Sequence, residues 1–262
     1  MLTQFYVTGD THGDFSRFYK LNAAVPEGEH WGVIILGDTG FNFWLNKHDK
    51  KTKYRVCDKY PKLTFFCVRG NHEARPEDIE GMEKIFMPEI GNYVYAELDY
   101  PNICYLMDGH EYMFNDYRTL VIGGAYSVDK YYRLERQKAG FYGGWFANEQ
   151  LTQKEMQNIE EIATGQTYDL ILTHTCPWSW EPRDLFLTCI DQSNVDASME
   201  IWMDQLKEKM VWGVWLCGHF HDDRILVPHA QMLSLDIKNL EDIMEYWLED
   251  LDTTTLGGEG IK

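Results

Sequence analysis

The chain has 262 residues, of which 44% are hydrophobic and 15% aromatic, enough apolar matter for a sizeable core in one α/β domain. Its 42 acidic against 24 basic residues give a formal net charge of −18, which argues against non-specific binding to nucleic acid or to an anionic membrane surface. That balance still permits a local cationic site built on bound metal ions, whose charge can reverse the sign within one pocket.

Taken in chain order, short β-rich runs recur, each ending in glycine or polar residues: "QFYVTGD" (4–10), "WGVIILGD" (31–38), "LTFFCVRGN" (63–71), "ICYLMDG" (103–109), "YRTLVIGG" (117–124), "YDLILTHT" (168–175), "WGVWLCGH" (212–219) and "QMLSLDI" (231–237). Several are continuous rather than alternating in hydrophobicity, as expected of strands buried on both faces. Between them, helical spacing is predicted over 14–23, 76–86, 152–163, 198–210 and 241–251. Strands alternating with helices predict a layered α/β domain. With no repeat and no linker, one domain is expected over residues 1–251, and the small, polar segment 252–262 is expected to be a flexible tail. No apolar run is long enough to span a bilayer, and the chain does not open on a basic segment followed by an apolar one. Cys57, Cys67, Cys104, Cys176, Cys189 and Cys217 are scattered without a C-x-x-C pair and fit reduced core thiols. A cytoplasmic protein is expected.

The polar residues that could carry chemistry share one kind of place. In "VTGDTHGD", "ILGDTG", "VRGNHE", "LTHT" and "LCGHFH", an apolar strand runs out and a metal-capable side chain follows at once. In open α/β sheets ligands bind beyond the carboxyl ends of the strands, so ends that are far apart in sequence can meet in one crevice. Asp10, His12, Asp38, Asn71, His174, His219 and His221 together offer carboxylate oxygen, amide oxygen and imidazole nitrogen, with no thiolate. Such a set suits Mn, Fe, Zn or a similar first-row ion. It is too large for one four-coordinate site and about right for two ions sharing a bridging oxygen, an arrangement that clamps in-line displacement at phosphorus. Each fragment alone is weak, since a single Asp-x-His is more often a surface turn and a lone buried histidine is usually a hydrogen-bonded core residue. His30, His48, His110 and His229 stand in no motif and take that plainer reading.

The ordered series D-x-H, G-D, G-N-H-E, H and G-H-x-H, spread from Asp10 to His221, resembles the calcineurin-like metallophosphoesterases. The full set is far more specific than any of its parts. The resemblance implies an α/β fold, a four-layer α/β/β/α sandwich with two mixed β-sheets. It implies that Asp10, His12 and His221 hold a first divalent ion, that Asp38 bridges to a second, and that Asn71, His174 and His219 complete the second. In that family a water or hydroxide on the metals attacks phosphorus, and His72, matching the family's catalytic histidine, would protonate the leaving oxygen or stabilise charge there. Two divalent ions are therefore the expected cofactors, with Mn the natural choice in vitro, and a phosphoester the expected partner. Asp14 and Glu73 are expected to hold turns or orient neighbours rather than to bind metal. In "GGAYSVDKYYR" (123–133) and "HTCPWSWEPRDLF" (174–186) the chain also resembles phosphoesterases of bacteria and phages.

The chain departs from the phosphoprotein phosphatases of this superfamily, which follow the bridging aspartate with a second Asp and an Arg. Here Phe41 and Asn42 stand at those places. Arg69, before "GNHE", matches an arginine that those enzymes place on phosphate, so it is expected to be catalytic; Arg133, Arg183 or Arg224 could supply the missing partner. Ser127, Asp129 and Arg133 after one strand, and Trp178 and Trp180 after His174, are candidates to shape a substrate pocket, the tryptophans either by stacking on a base or sugar or by packing on a neighbouring loop. Alternatives on the same scaffold are a nuclease or cyclic-nucleotide phosphodiesterase, which the strong negative charge disfavours, and a phosphoprotein phosphatase. A metal-free phosphate-binding pseudoenzyme is the alternative outside catalysis, and the intact ligand set argues against it.

Overall fold

The computed structural model describes residues 2–141, 144–186 and 191–255. Its strands are β1 (Gln4–Thr8), β2 (Trp31–Ile35), β3 (Leu63–Cys67), β4 (Met82–Met87), β5 (Asn92–Glu97), β6 (Ile103–Tyr105), β7 (Glu111–Phe114), β8 (Tyr117–Ile122), β9 (Thr167–Thr173), β10 (Val211–Cys217), β11 (Arg224–Val227), β12 (Ala230–Met232) and β13 (Lys238–Asn239). Its helices are α1 (Phe18–Ala24), α2 (Lys47–Lys59), α3 (Lys130–Lys138), α4 (Gln153–Ala163), α5 (Ser198–Leu206) and α6 (Leu240–Thr255).

The strands form two mixed sheets, in the orders β13-β1-β2-β3-β6-β5-β4 and β11-β12-β10-β9-β8-β7. In the first, β1, β2, β3 and β6 run parallel and β13, β5 and β4 join antiparallel at the flanks. In the second, β8, β9, β10 and β12 are parallel, with β7 and β11 antiparallel at the edges.

Alternation along the central strands explains the layers. Ile34, Phe66 and Val7 face Leu170, Leu172, Val214 and Leu216 of the other sheet in one buried cluster, which α6 closes with Ile243, Met244 and Trp247. Their neighbours Val33, Ile35 and Phe65 point the other way, onto Phe18 of α1 and Val56 of α2. On the far side Ile171, Trp215 and Tyr168 meet Met156 and Ile159 of α4 and Met199, Trp202 and Met203 of α5. The order is helices, sheet, sheet, helices, the four-layer α/β/β/α sandwich expected from the sequence.

The expected strands are present, and four of the helical segments are too. The exception is 76–86. Pro76–Asp78 makes a single 3₁₀ turn, Gly81 follows at φ +86°, and the chain then runs as β4 in a hairpin with β5. Phe86 and Tyr93 face each other across that hairpin with ring centroids 5.3 Å apart, a cross-strand pair that outweighs the helical spacing. Helix α2 is not among the expected helices: its buried face holds Asp49, Thr52, Lys53 and Val56, so no apolar stripe marks it. Lys53 is buried against Glu97. Helix α6 extends to Thr255, so residues 252–255 of the expected tail are helical, and 256–262 lie outside the described residues. Cys57, Cys67, Cys104, Cys176 and Cys217 are free thiols, and Cys189 lies outside the described residues. No described helix is long and apolar enough to cross a membrane.

Candidate metal centre

The loops that leave β1, β2 and β3 in one sheet and β9 and β10 in the other meet at one rim, and backbone hydrogen bonds tie them together. His12 N–H donates to Asp38 O at 2.8 Å, Gly218 N–H to His174 O at 2.8 Å, His219 N–H to Asp10 Oδ1 at 2.9 Å and His72 N–H to Asp38 Oδ1 at 2.8 Å. Glycine makes the approach possible: a Cβ at Gly37 would overlap the His174 ring, one at Gly70 would overlap Asp38 Oδ1, and one at Gly218 would overlap Asp10 Oδ1. His12, Asp38, His219 and His221 all hold left-handed backbone, with φ of 45°, 46°, 69° and 57°. Non-glycine residues in that region cost about 1–3 kcal/mol each and collect where a site over-determines them.

The structure brings all seven predicted ligands together. His12 Nε2 and His221 Nε2 lie 2.9 Å apart, with Asp10 Oδ2 at 3.7 Å from the first and 3.3 Å from the second. Two imidazole nitrogens bound to one ion at about 2.0–2.1 Å, at right angles, would be separated by about 3 Å. On the other side His174 Nε2 lies 2.8 Å from Asn71 Oδ1 and 3.7 Å from Asp38 Oδ1. Asp38 Oδ2 faces the first group, 4.0 Å from His12 Nε2. The Asp38 carboxylate thus presents one oxygen to each half of the site. The His219 ring lies beside that of His174, centroids 5.0 Å apart.

Hydrogen bonding turns several of these acceptors toward one another. His174 Nδ1 lies 2.6 Å from Leu36 O, a carbonyl that can only accept, so Nδ1 carries the ring proton and Nε2 a lone pair. Asn71 Nδ2 donates to Ser127 Oγ at 2.8 Å, and Ser127 Oγ donates to Glu149 Oε2 at 2.5 Å. That relay turns Asn71 Oδ1 toward His174 Nε2, acceptor facing acceptor. Asp10 Oδ2 is buried and has no hydrogen-bond partner among the described residues. Buried acceptors in these positions are costly unless an ion lies between them.

The electrostatics agree. Burial pushes the Asp38 carboxyl well above the usual carboxylate range, reinforced by Asp10 and Glu73. Burial also works against the Asp10 carboxylate, but His174, His221 and His12 outweigh it and hold that group below the usual range. Burial lowers His12 and His174, and takes His219 down to about 3, so these rings are neutral donors of lone pairs. Its contact with Asp10 raises His221.

His72 stands apart from both ligand groups, its Nε2 3.8 Å from Asp38 Oδ2 and its side chain 20% exposed at the mouth. Burial, then Arg133 and the neighbouring imidazoles, lower it to about 2. Glu73 takes the supporting role expected of it, accepting from Gly70 N–H at 2.9 Å and from Thr39 Oγ1 at 2.6 Å. Asp14 caps its own turn through Ser16 N–H at 2.9 Å.

Arg69 requires a correction. Its side chain is buried and its guanidinium donates to Asp108 Oδ2 at 2.8 Å, Glu149 O at 2.6 Å and Gly123 O at 3.0 Å. Every nitrogen is occupied by protein, and the cavity it borders is lined by Arg75, Asp108 and Ile159 with none of the seven ligands. It braces loops instead of reaching for phosphate. Arg133 is the guanidinium near the centre: its Nε is held by Asp129 at 2.7 Å, and it lines a cavity of about 310 Å³ with His12, His72 and Arg55. Arg224 pairs with Asp184 and Asp222. Trp180 packs edge-on against Trp212 and Trp215 in the core, whereas Trp178 lines a second cavity at the centre. Sequence reasoning missed Glu149, an isolated glutamate with no motif around it, and gave Ser127 only a loose place near the pocket.

A family model described as calcineurin-like phosphoesterase matches residues 3–223. A search of curated proteins returned no match. Among solved structures, phosphopantetheinyl hydrolase from Mycobacterium tuberculosis is similar, with a TM-score of 0.44, 9% identity and 88% of each chain covered. That likeness is too distant to say anything of this chain's substrate.

Proposed function

We infer that the chain, which belongs to the calcineurin-like phosphoesterase family, hydrolyses phosphate mono- and diesters with two divalent ions held by Asp10, His12, Asp38, Asn71, His174, His219 and His221. Family membership makes it a metal-dependent phosphoesterase, a hydrolase; the ligand assignment and the ester range are our reading. The observation that carries it is the convergence of buried acceptors: Asp10 Oδ2 between the His12 and His221 rings at 3.7 and 3.3 Å, and His174 Nε2 against Asn71 Oδ1 at 2.8 Å.

Two bound ions would supply Lewis-acid polarisation of a phosphoryl oxygen and a lowered pKa for water at neutral pH. The remaining tasks fall to the chain. Asp38 sets the spacing of the halves through its two oxygens, and the Asn71–Ser127–Glu149 relay keeps the amide oxygen inward. Arg133 and Arg55, in the cavity shared with His12 and His72, supply positive charge for the phosphoryl oxygens. His72 offers Nε2–H to the leaving oxygen. A phosphoryl dianion beside the ring would raise its affinity for a proton from the low value set by burial and Arg133.

The phosphoprotein phosphatase alternative loses support. Phe41 is fully buried and stacked on Phe15 at 4.6 Å, Asn42 is buried beside it, and Arg69 is engaged elsewhere. We place the protein in the cytoplasm, in keeping with the free thiols of Cys57, Cys67, Cys104, Cys176 and Cys217. The test is Asp38→Asn assayed beside wild type for metal content and for turnover of nitrophenyl mono- and bis-esters with Mn. The variant should lose at least one ion per chain and nearly all turnover. Two retained ions with normal rates would remove Asp38 as the bridge.

A further inference from the structure

The metal centre opens on its other side into a cavity of about 620 Å³ that runs from Asp38, His72 and His219 to the first turn of α5. Its walls are flat and apolar near His219: Phe220 lies against that ring with centroids 4.8 Å apart, and Phe186 stacks on Phe220 at 6.1 Å and 19°. Trp178 also lines the cavity, with the Arg183 guanidinium 4.0 Å from its ring centroid.

The charged groups are mostly acidic. Asp129 is paired with Arg133 at 2.7 Å, and Glu181 with Arg183 at 3.5 Å. Glu200, on α5, has no ion-pair partner among the described residues. It lines the cavity and is only 5% exposed, and its Oε2 has no hydrogen-bond partner among the described residues; neither has the Thr175 hydroxyl. Burial pushes its carboxyl up to about 7 despite the proximity of Thr175. An unsatisfied buried carboxylate on the wall of a cavity is a costly feature that a donor on a ligand would relieve.

We propose that this cavity receives the leaving group of the substrate and selects a flat, apolar ring bearing an amine or ammonium donor, which Glu200 accepts, while disfavouring leaving groups that carry a further negative charge. The ring would lie among Trp178, Phe186 and Phe220, and the phosphoryl group would remain on the metal side with Arg133. This rests on the phosphoesterase reading above and gives its substrate a chemical class.

Three aryl phosphates with closely matched phenolic leaving groups test it: 4-ethylphenyl phosphate, tyramine O-phosphate and 3-(4-phosphonooxyphenyl)propanoate. They are assayed with Mn at about pH 8, where Glu200 is largely ionised. A charge-assisted hydrogen bond is worth about tenfold or more, so kcat/KM should favour tyramine phosphate over the ethyl ester by that factor, and the propanoate should fall below both. The chain's net charge of −18 favours any cation, so Glu200→Gln isolates the local effect and should bring the amine-to-ethyl ratio to within about twofold of unity. A flat series in wild type, a preference for the propanoate, or an amine preference that survives Glu200→Gln overturns the proposal. If none of the three is hydrolysed, the monoester part of the reading above fails instead. The cavity is then judged by calorimetry with the free phenols, where tyramine must bind more tightly than 3-(4-hydroxyphenyl)propanoate in wild type and lose that advantage in Glu200→Gln; equal binding in wild type overturns it.

Discussion

Replacing Arg69 by methionine separates a brace from a phosphate clamp. Its side chain is 2% exposed, and its removal strips donors from Asp108 Oδ2, Glu149 O and Gly123 O at once. Removing one partner of a buried ion pair costs about 3–5 kcal/mol, because the other charge stays buried. A domain of this size loses about 2–4 °C of Tm per kcal/mol, so calorimetry should show a fall of about 6–20 °C. Below that transition the variant should keep kcat/KM within about tenfold of wild type, with equal losses on mono- and bis-nitrophenyl phosphates, since no substrate contact is deleted. What loss there is would come through Glu149, whose carboxylate orients Ser127 and thereby Asn71. A Tm within about 2 °C of wild type, with a loss confined to monoesters, would show that the guanidinium reaches the phosphate and that the bracing reading is wrong.

His72→Ala should retain its metals, since all seven proposed ligands remain; its rate loss, about 10²–10⁴-fold for a proton donor, should be much larger on alkyl than on nitrophenyl phosphates. Equal losses on both would assign the ring to positioning. Metal-induced stabilisation should depend on pH. Asp38, raised in the folded metal-free protein, contributes stability below the ordinary carboxylate pKa and loses it as pH rises through its raised value. His221, raised by Asp10, must also give up its proton before an ion can bind. Mn should therefore raise Tm more at about pH 8 than at about pH 5.5, read by differential scanning fluorimetry; the opposite order would contradict the assignment of these groups as ligands.

Much of this was legible because strands buried on both faces leave continuous apolar runs, and a ligand at a strand end follows such a run directly. Asp10, Asp38, Asn71, His174 and His219 could be placed for that reason. Features decided by contacts between distant segments could not. Helix α2 buries Lys53 against Glu97, a pairing across 44 positions that no local pattern announces. The hairpin of β4 and β5 overrode a helical spacing because Gly81 and the Phe86–Tyr93 pair favour strands. Arg69 stands at the expected place in its motif, but its direction is set by Asp108, Glu149 and Gly123, at separations of 39, 80 and 54 residues. Motif position gives an address for the Cα atom; the neighbours determine where a long side chain goes.

The same distinction explains why the metal centre is strained. His12, Asp38, His219 and His221 turn inward from left-handed backbone, and four such residues at about 1–3 kcal/mol each amount to about 4–12 kcal/mol, comparable with the whole stability of an ordinary domain. A strand pleated in the ordinary way would put Asp10 and His12, or His219 and His221, on one face but about 6.6 Å apart along the chain, so a site that draws both side chains onto one ion must turn the chain between them. Glycines at 9, 37, 70 and 218 let the loops close without a Cβ in the way, but they relieve only overlap; the dihedral cost and the unpaired buried acceptors remain. Cations held by those acceptors would offset both. The metal-free protein should therefore be least stable at this rim, and ion binding should slow amide exchange at His12, Asp38 and His219 more than in the strands they follow.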